Sequence, residues 1–167
     1  MNLVFYTRIL LLTVLAASLG NIAFAETDQQ TLKSSTATTL EIYKTPQCGC
    51  CADWVSHMRE AGFQAHVSET TALDAIKNRF GIQPALQSCH TADDPATNYV
   101  FEGHIPAPVI QRFIEEKPEG ARGLAVPGMP VGSHGMEMGD RRDSYNVWMM
   151  MEDGSSQVYT RIKGNDQ

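Results

Sequence analysis

Basic residues are scarce in this 167-residue chain: 13 Lys and Arg stand against 19 Asp and Glu, for a formal charge of −6. The broad positive field that nucleic-acid binding requires is missing, which excludes DNA and RNA as partners. Long hydrophobic runs are scarce as well. A membrane span needs about 20 apolar residues to cross roughly 30 Å of hydrocarbon. The longest run, Ile9–Gly20 (ILLLTVLAASLG), falls short of that, so no stable membrane anchor is expected. No internal repeat or low-complexity tract occurs, and nothing argues for a repeat architecture. What is plentiful is sulfur and imidazole: four Cys, eight Met and five His. These side chains bind soft and borderline metals.

The N-terminal segment has the layout of a secretion signal. Met1–Arg8 carries one positive charge, the apolar run follows, and Ala23-Phe24-Ala25 places small residues where a signal peptidase reads them. Cleavage after Ala25 is expected. Residues 26–38 are polar and without periodicity, which reads as a flexible tail, and a single domain is expected over residues 39–165. A domain near 150 residues buries roughly 70% of the surface its unfolded chain exposes. Its core holds without disulfide staples, which leaves the cysteines free for chemistry.

Periodicity predicts the order strand, cysteine turn, helix, strand, helix. Thr39–Lys44 alternates as a strand, with Leu40 and Ile42 on one face. From Cys51 the stripe Trp54, Val55, Met58, Ala61 reads as a helix closed by Gly62. Phe63–Ser68 alternates again, with Phe63, Ala65 and Val67 inward. A helix bearing Leu73, Ile76 and Phe80 then follows a capping box at Thr71 and Asp74. Right-handed crossovers lay the two strands parallel. Tyr99–Phe101 is expected to add a short strand. Pro106 opens a helix whose inner face is Val109, Ile110, Phe113 and Ile114. Gly123–Gly139, rich in glycine and proline, is expected to be a long loop. Asn146–Met151 and Gln157–Ile162 read as an antiparallel hairpin, the first strand buried on both sides. The fold class expected is α/β, with a central mixed sheet, flanking helices and a C-terminal β-hairpin.

Cys48-Gly49-Cys50-Cys51 carries the most chemistry. Cys48 and Cys51 form a C-x-x-C pair at a helix start, where amide groups stabilise a thiolate. Disulfide exchange needs one attacking and one resolving thiol. A third thiol inside the pair instead suits a polynuclear cluster, because three thiolates in four residues can bridge several soft cations at once. Cys89 and His90 bring a fourth thiolate and an imidazole. Adjacent Cys50-Cys51 suits iron–sulfur ligation poorly, and structural zinc would want a second two-cysteine knuckle that the chain lacks. Copper, as Cu(I) or Cu(II), fits best. Met129, His134, Met136 and Met138 in the glycine loop, together with His104, are candidate additional ligands.

Plainer readings stand beside these. A structural disulfide with spare thiols, a Cys48–Cys89 bridge among its versions, suits an oxidising compartment. His57 and His66 read as solvated surface residues, Met149–Met151 as core filling, and Asp93-Asp94 as solvated loop charges.

Several strings together resemble one family. They are Lys44–Cys51 (KTPQCGCC), Ser88–Ala92 (SCHTA), Glu102–Ala107 (EGHIPA), Gly123–Pro130 (GLAVPGMP) and Gly135-Met136-Glu137. In this order they resemble the CopG-type periplasmic copper-resistance proteins, from about Leu40 to Ile162. The resemblance implies a thioredoxin-like fold, copper bound at the C-x-C-C site, and a role in copper tolerance through Cu(I)/Cu(II) handling in the periplasm, alongside other copper-handling proteins there. It carries the site role onto Cys48, Cys50, Cys51 and Cys89, with His104 and the Met129–Met138 loop as further members. His134 stands where the family pattern leads to an expectation of proline. Met129-Pro130 resembles the peptide before the cis-proline of thioredoxin-like folds, so a cis bond is expected there.

Overall fold

A computed structural model describes residues 37–165. The expected signal segment and most of the expected tail therefore lie outside the described residues. Strand β1 (Thr39–Lys44) leads through the cysteine turn into helix α1 (Gly49–Glu60), followed by β2 (Gln64–Glu69) and helix α2 (Leu73–Arg79). A 3₁₀ turn at Pro84–Leu86 precedes β3 (His90–Asp94) and β4 (Tyr99–Glu102). Helix α3 (Ala107–Glu116), β5 (Ala121–Ala125), β6 (Tyr145–Met151) and β7 (Ser156–Ile162) complete the chain.

The strands form one seven-stranded sheet in the order β2-β1-β3-β4-β5-β6-β7. The pairs β1/β2 and β4/β5 are parallel and the other four antiparallel, so the sheet is mixed. Alternate residues of each strand supply opposite faces. Phe101, Leu124 and Met149 join Leu40 and Ile42 in a large core covered by Trp54, Val55 and Met58 of α1 and Ile110 and Phe113 of α3. Their neighbours Val100, Ala125 and Met150 form a smaller core with Ile82 and Leu86 on the other face. Strand β6 is thus buried on both sides, as its run of Met149–Met151 predicts.

The structure departs from the expectations in five places. First, His90–Asp94 is a central strand rather than a loop, and Asp94 is 1% exposed. Its carboxylate accepts the Ala96 N–H and the Thr97 hydroxyl, so a charge expected in solvent closes the β3–β4 turn instead. Second, the glycine-rich segment begins with strand β5. A Cβ at Gly123 would stand 1.8 Å from the Val100 carbonyl oxygen, so only glycine lets β5 lie this close to β4.

Third, the capping box at Thr71 and Asp74 does not form. The N-cap falls on Ala72, whose side chain has no acceptor, and the Thr70 hydroxyl takes the Ala72 N–H. Fourth, Leu73 and Ile76 of α2 and Phe80 at its C-cap are only half-buried, while Lys77 is the buried residue of that helix, and Val67 on β2 is exposed. Fifth, no peptide bond among the described residues is cis, Met129–Pro130 included.

Candidate metal centre

Three chain segments meet at one end of the sheet, and the strand register brings them there. Strand β1 ends at Lys44, and the turn that follows is closed by the Cys48 N–H on the Thr45 carbonyl. Cys48 is the N-cap of α1, so Cys50 and Cys51 sit in its first turn, which contains no acidic residue. The unpaired amides there present positive potential to sulfur. Pairing of Lys44 with His90 sets Cys89-His90 beside that turn. Pairing of Thr91 with Glu102 places Gly103 and His104 immediately after it.

The result is a compact donor group. The sulfurs of Cys48, Cys50, Cys51 and Cys89 all lie within 4.8 Å of one another. A second group satisfying the same limit consists of Cys51, Cys89, His90 and His104, so the two sets share Cys51 and Cys89. Cys48 and Cys51 are joined as a disulfide, whereas Cys50 and Cys89 are free thiols. The Cys50 sulfur is 3.5 Å from that of Cys48.

Each imidazole is held in a definite orientation. His104 Nδ1 lies 2.7 Å from the main-chain oxygen of His134 and therefore carries the proton it donates. His104 Nε2 is left as an acceptor facing the Cys89 sulfur at 3.0 Å. His90 is fully buried, with its ring 4.4 Å from that of Trp54 and 5.0 Å from that of His104. Its Nδ1 is 3.4 Å from the Cys89 sulfur, and its buried Nε2 has no hydrogen-bond partner. An orphaned buried nitrogen is costly in an apolar core, and the ring it belongs to brings one nitrogen within 4.8 Å of the Cys51 and Cys89 sulfurs.

Burial governs the charge state. It pushes the Cys89 thiol up to about 11, with Cys50 adding to the effect and the Ser88 hydroxyl and Lys77 opposing it. Burial first, then the neighbouring His104 and Lys77, holds His90 well below its usual range. His104 is lowered by burial too, against the pull of the His134 carbonyl and Glu137. At neutral pH the pocket therefore holds a Cys89 thiol and two neutral imidazoles. A metal ion held there would displace protons from sulfur and would find imidazole lone pairs ready.

A buried ionic network, which the sequence reading missed, fixes the Cys89-His90 segment. Lys77 Nζ is 2.5 Å from Glu102 Oε1 and donates to the Thr91 hydroxyl at 3.1 Å. The Thr91 hydroxyl donates to Glu102 Oε2 at 2.6 Å, and the Ser88 N–H donates to Oε1 at 2.6 Å. One carboxylate thus grips both residues flanking Cys89-His90, and it belongs to the strand that leads into His104. Burial raises the Glu102 carboxyl, while Lys77, Thr91 and Ser88 pull it back down. Glu102 and Lys77 are 0% and 4% exposed, so their pairing compensates two charges that would otherwise be prohibitive.

The glycine-rich loop encloses the group by its main chain. The Ser88 hydroxyl donates to the Gly128 carbonyl. Gly135, at φ +81°, lies so close to α1 that a Cβ would come within 2.5 Å of the Cys50 oxygen and 2.6 Å of the Trp54 nitrogen. His134 thus meets the site through its carbonyl. Its ring stacks 4.7 Å from that of His57, and its Nδ1 accepts the Ala107 N–H at 3.4 Å. Met129 and Met138 are 52% and 64% exposed, and Met136 is half-buried. His57 is no freely solvated residue, since its Nε2 lies 3.0 Å from Glu137 Oε1. His66 is exposed, as expected, and pairs with Glu41 at 2.8 Å.

Comparison with known proteins places this geometry. A family model described as a protein of unknown function, DUF411, matches residues 86–136, the stretch that carries Cys89, His90, His104 and most of the glycine-rich segment. No curated protein sequence matches the chain. Two solved structures do, titled copper resistance protein copG, form 1 and form 2. The first is 36% identical and the second 35%, both with a TM-score of 0.71. The alignments cover 77% and 76% of this chain and 99% of each of those chains. With near-complete coverage at that identity, the chain belongs to the CopG family of copper resistance proteins.

Proposed function

We propose that the protein binds copper through its Cys/His group, serves copper resistance in the periplasm, and interconverts Cu(I) and Cu(II). The observation that carries this reading is the pair of overlapping donor sets sharing Cys51 and Cys89, one all sulfur and one sulfur with imidazole. Thiolates select Cu(I), whereas imidazole suits copper in either oxidation state. Shared sulfurs can bridge, so the bound copper is polynuclear, with Cys48, Cys50, Cys51, Cys89, His90 and His104 as its ligands. Of the loop, His134 serves the site through the carbonyl that orients His104 rather than through its ring, and the sulfurs of Met129, Met136 and Met138 are proposed as outer donors at the solvent side. The segment 1–25 acts as the export signal, 26–38 as a tail, and 39–165 as a thioredoxin-like copper-binding domain, a reading supported by the strand, cysteine turn and helix at Thr39–Glu60. Other periplasmic copper-handling proteins deliver or accept the ion.

Anaerobic titration of the reduced protein with Cu(I), with metal counted per chain, tests this. More than one Cu(I) per chain is expected, bound in preference to zinc. Less than one, or a preference for zinc, overturns it.

A second reading rests on the Cys48–Cys51 bond at the start of a helix: a thiol–disulfide oxidoreductase of the thioredoxin type. The two readings part at Cys50. Cys50→Ser costs copper in the first reading and has no bearing on dithiol exchange in the second.

A further inference from the structure

Trp54 lies on the core stripe of α1, yet its contacts reach well beyond core filling. It is fully buried, as is Cys51 one turn before it, and residues three apart share a helix face. Its ring lies 4.4 Å from that of His90, tilted by 44°. Its indole N–H donates at 2.8 Å to the carbonyl of Ile105, the residue that follows His104. Its main-chain nitrogen is packed so tightly under the glycine-rich loop that a Cβ on Gly135 would stand 2.6 Å from it. The carbonyl of His134, next to that glycine, accepts the His104 Nδ1 proton. Trp54 therefore touches both segments that supply an imidazole and the loop that orients one of them.

These contacts leave the ligand nitrogens free. An indole N–H directed at His90 would occupy a ring nitrogen. It goes to the Ile105 carbonyl instead, which gives the buried tryptophan the partner it requires. His90 is held by packing, with its Nε2 unpartnered, and His104 keeps its Nε2 toward the Cys89 sulfur. We propose that Trp54 is the positioning residue of the Cys51, Cys89, His90 and His104 donor group. Its ring sets the plane of His90, and its hydrogen bond to Ile105 anchors the main chain beside His104. Loss of a residue that orients metal ligands typically lowers affinity by about 10- to 100-fold. The inference rests on the copper-binding reading above and deepens it by naming what holds the imidazoles in place.

The test uses the full chain, reduced and kept without oxygen, with Cu(I) as the probe. Affinity is read by competition with a chromogenic Cu(I) chelator, and ligation by NMR of ¹⁵N-labelled histidine. In the wild type, Cu(I) is expected to shift ring nitrogens of both His90 and His104. Trp54→Leu removes the indole ring and its N–H; it is expected to abolish both shifts and to weaken Cu(I) binding about tenfold or more. Trp54→Phe keeps a ring against His90 but has no N–H for Ile105, so the His90 shift should return and the His104 shift should not. A merely structural role lowers the melting temperature and leaves the shifts as in the wild type. Folded Trp54→Leu with both imidazoles still shifting, or with wild-type affinity, would overturn the proposal, as would a wild type that binds Cu(I) with neither histidine shifting. Where Trp54→Leu does not fold, Trp148→Phe decides. The chain has two tryptophans, and Trp148 packs against the smaller core on the other face of the sheet, so this variant keeps Trp54 as the one indole emitter. Its emission is expected to fall as Cu(I) occupies the imidazoles, and unchanged emission would overturn the proposal. Failure of the wild-type chain to bind Cu(I) at all would instead sink the copper-binding reading, so the two failures are distinct.

Discussion

His104 is oriented onto the Cys89 sulfur by a main-chain atom: its Nδ1 donates to the His134 carbonyl at 2.7 Å, which leaves Nε2 3.0 Å from sulfur. The nitrogen proposed as a ligand is thereby set in place by the protein itself, and preorganisation of this kind reduces the ordering cost of binding a metal. The contact also couples the glycine-rich loop to the thiols without any side chain of the loop taking part.

Copper affinity should depend on pH through Cys89. Its thiol is held up at about 11, so a metal ion binding there at pH 7 must expel a proton. Affinity is expected to rise about tenfold per pH unit for each thiol proton displaced. Chelator competition at pH 6, 7 and 8 measures this slope, and a flat profile would mean that Cys89 is not a ligand.

The metal-free protein should lose stability on mild acidification. His90 and His104 both titrate below the ordinary value of 6.5 when folded. Between their folded values and 6.5 the unfolded chain binds more protons than the folded one, so stability is full above 6.5 and falls as pH drops below it. The slope is up to about 1.4 kcal/mol per pH unit for each imidazole. Urea denaturation from pH 7.5 to 5 provides the check, and stability that rises toward pH 5 would contradict it.

Breaking the ion pair beneath Cys89-His90 should be expensive. Lys77→Met or Glu102→Gln leaves one buried group without its partner and is expected to cost about 3 kcal/mol. The double variant should cost less than the sum of the singles, because the two residues share one network. Additive losses in denaturant midpoints would show that the pair is not coupled.

Gly135→Ala should destabilise the loop. The new methyl meets the Cys50 oxygen at 2.5 Å, and the residue must keep φ at +81°. A loss on the order of 1–3 kcal/mol is expected. A melting temperature equal to that of the wild type would mean that the loop does not rest on α1 in this way.

Which of these features could be read from the sequence follows from how each is made. The turn between β1 and α1 was legible because Leu40 and Ile42 alternate and Trp54, Val55 and Met58 recur at helical spacing on either side of the cysteines. Strand β3 was not, because its residues, His90 to Asp94, look like a loop; they are buried by the strands on both sides, a long-range effect that no local pattern records. Lys77 and Glu102 were invisible for a related reason. A lysine on a helix reads as solvated until the partner that neutralises it is known. Cys89-His90 could be named as candidate donors from adjacency alone, yet their meeting with His104 depends on the pairing of Thr91 with Glu102. The glycines of the loop read as freedom for ligands. At Gly135 the missing side chain serves close approach to a helix instead.

The central claim is that the cysteines and histidines gathered at the start of α1 form one polynuclear copper site. Anaerobic Cu(I) titration of the fully reduced chain tests it most directly. The account predicts more than one tightly held Cu(I) per chain, while a stoichiometry below one would contradict it.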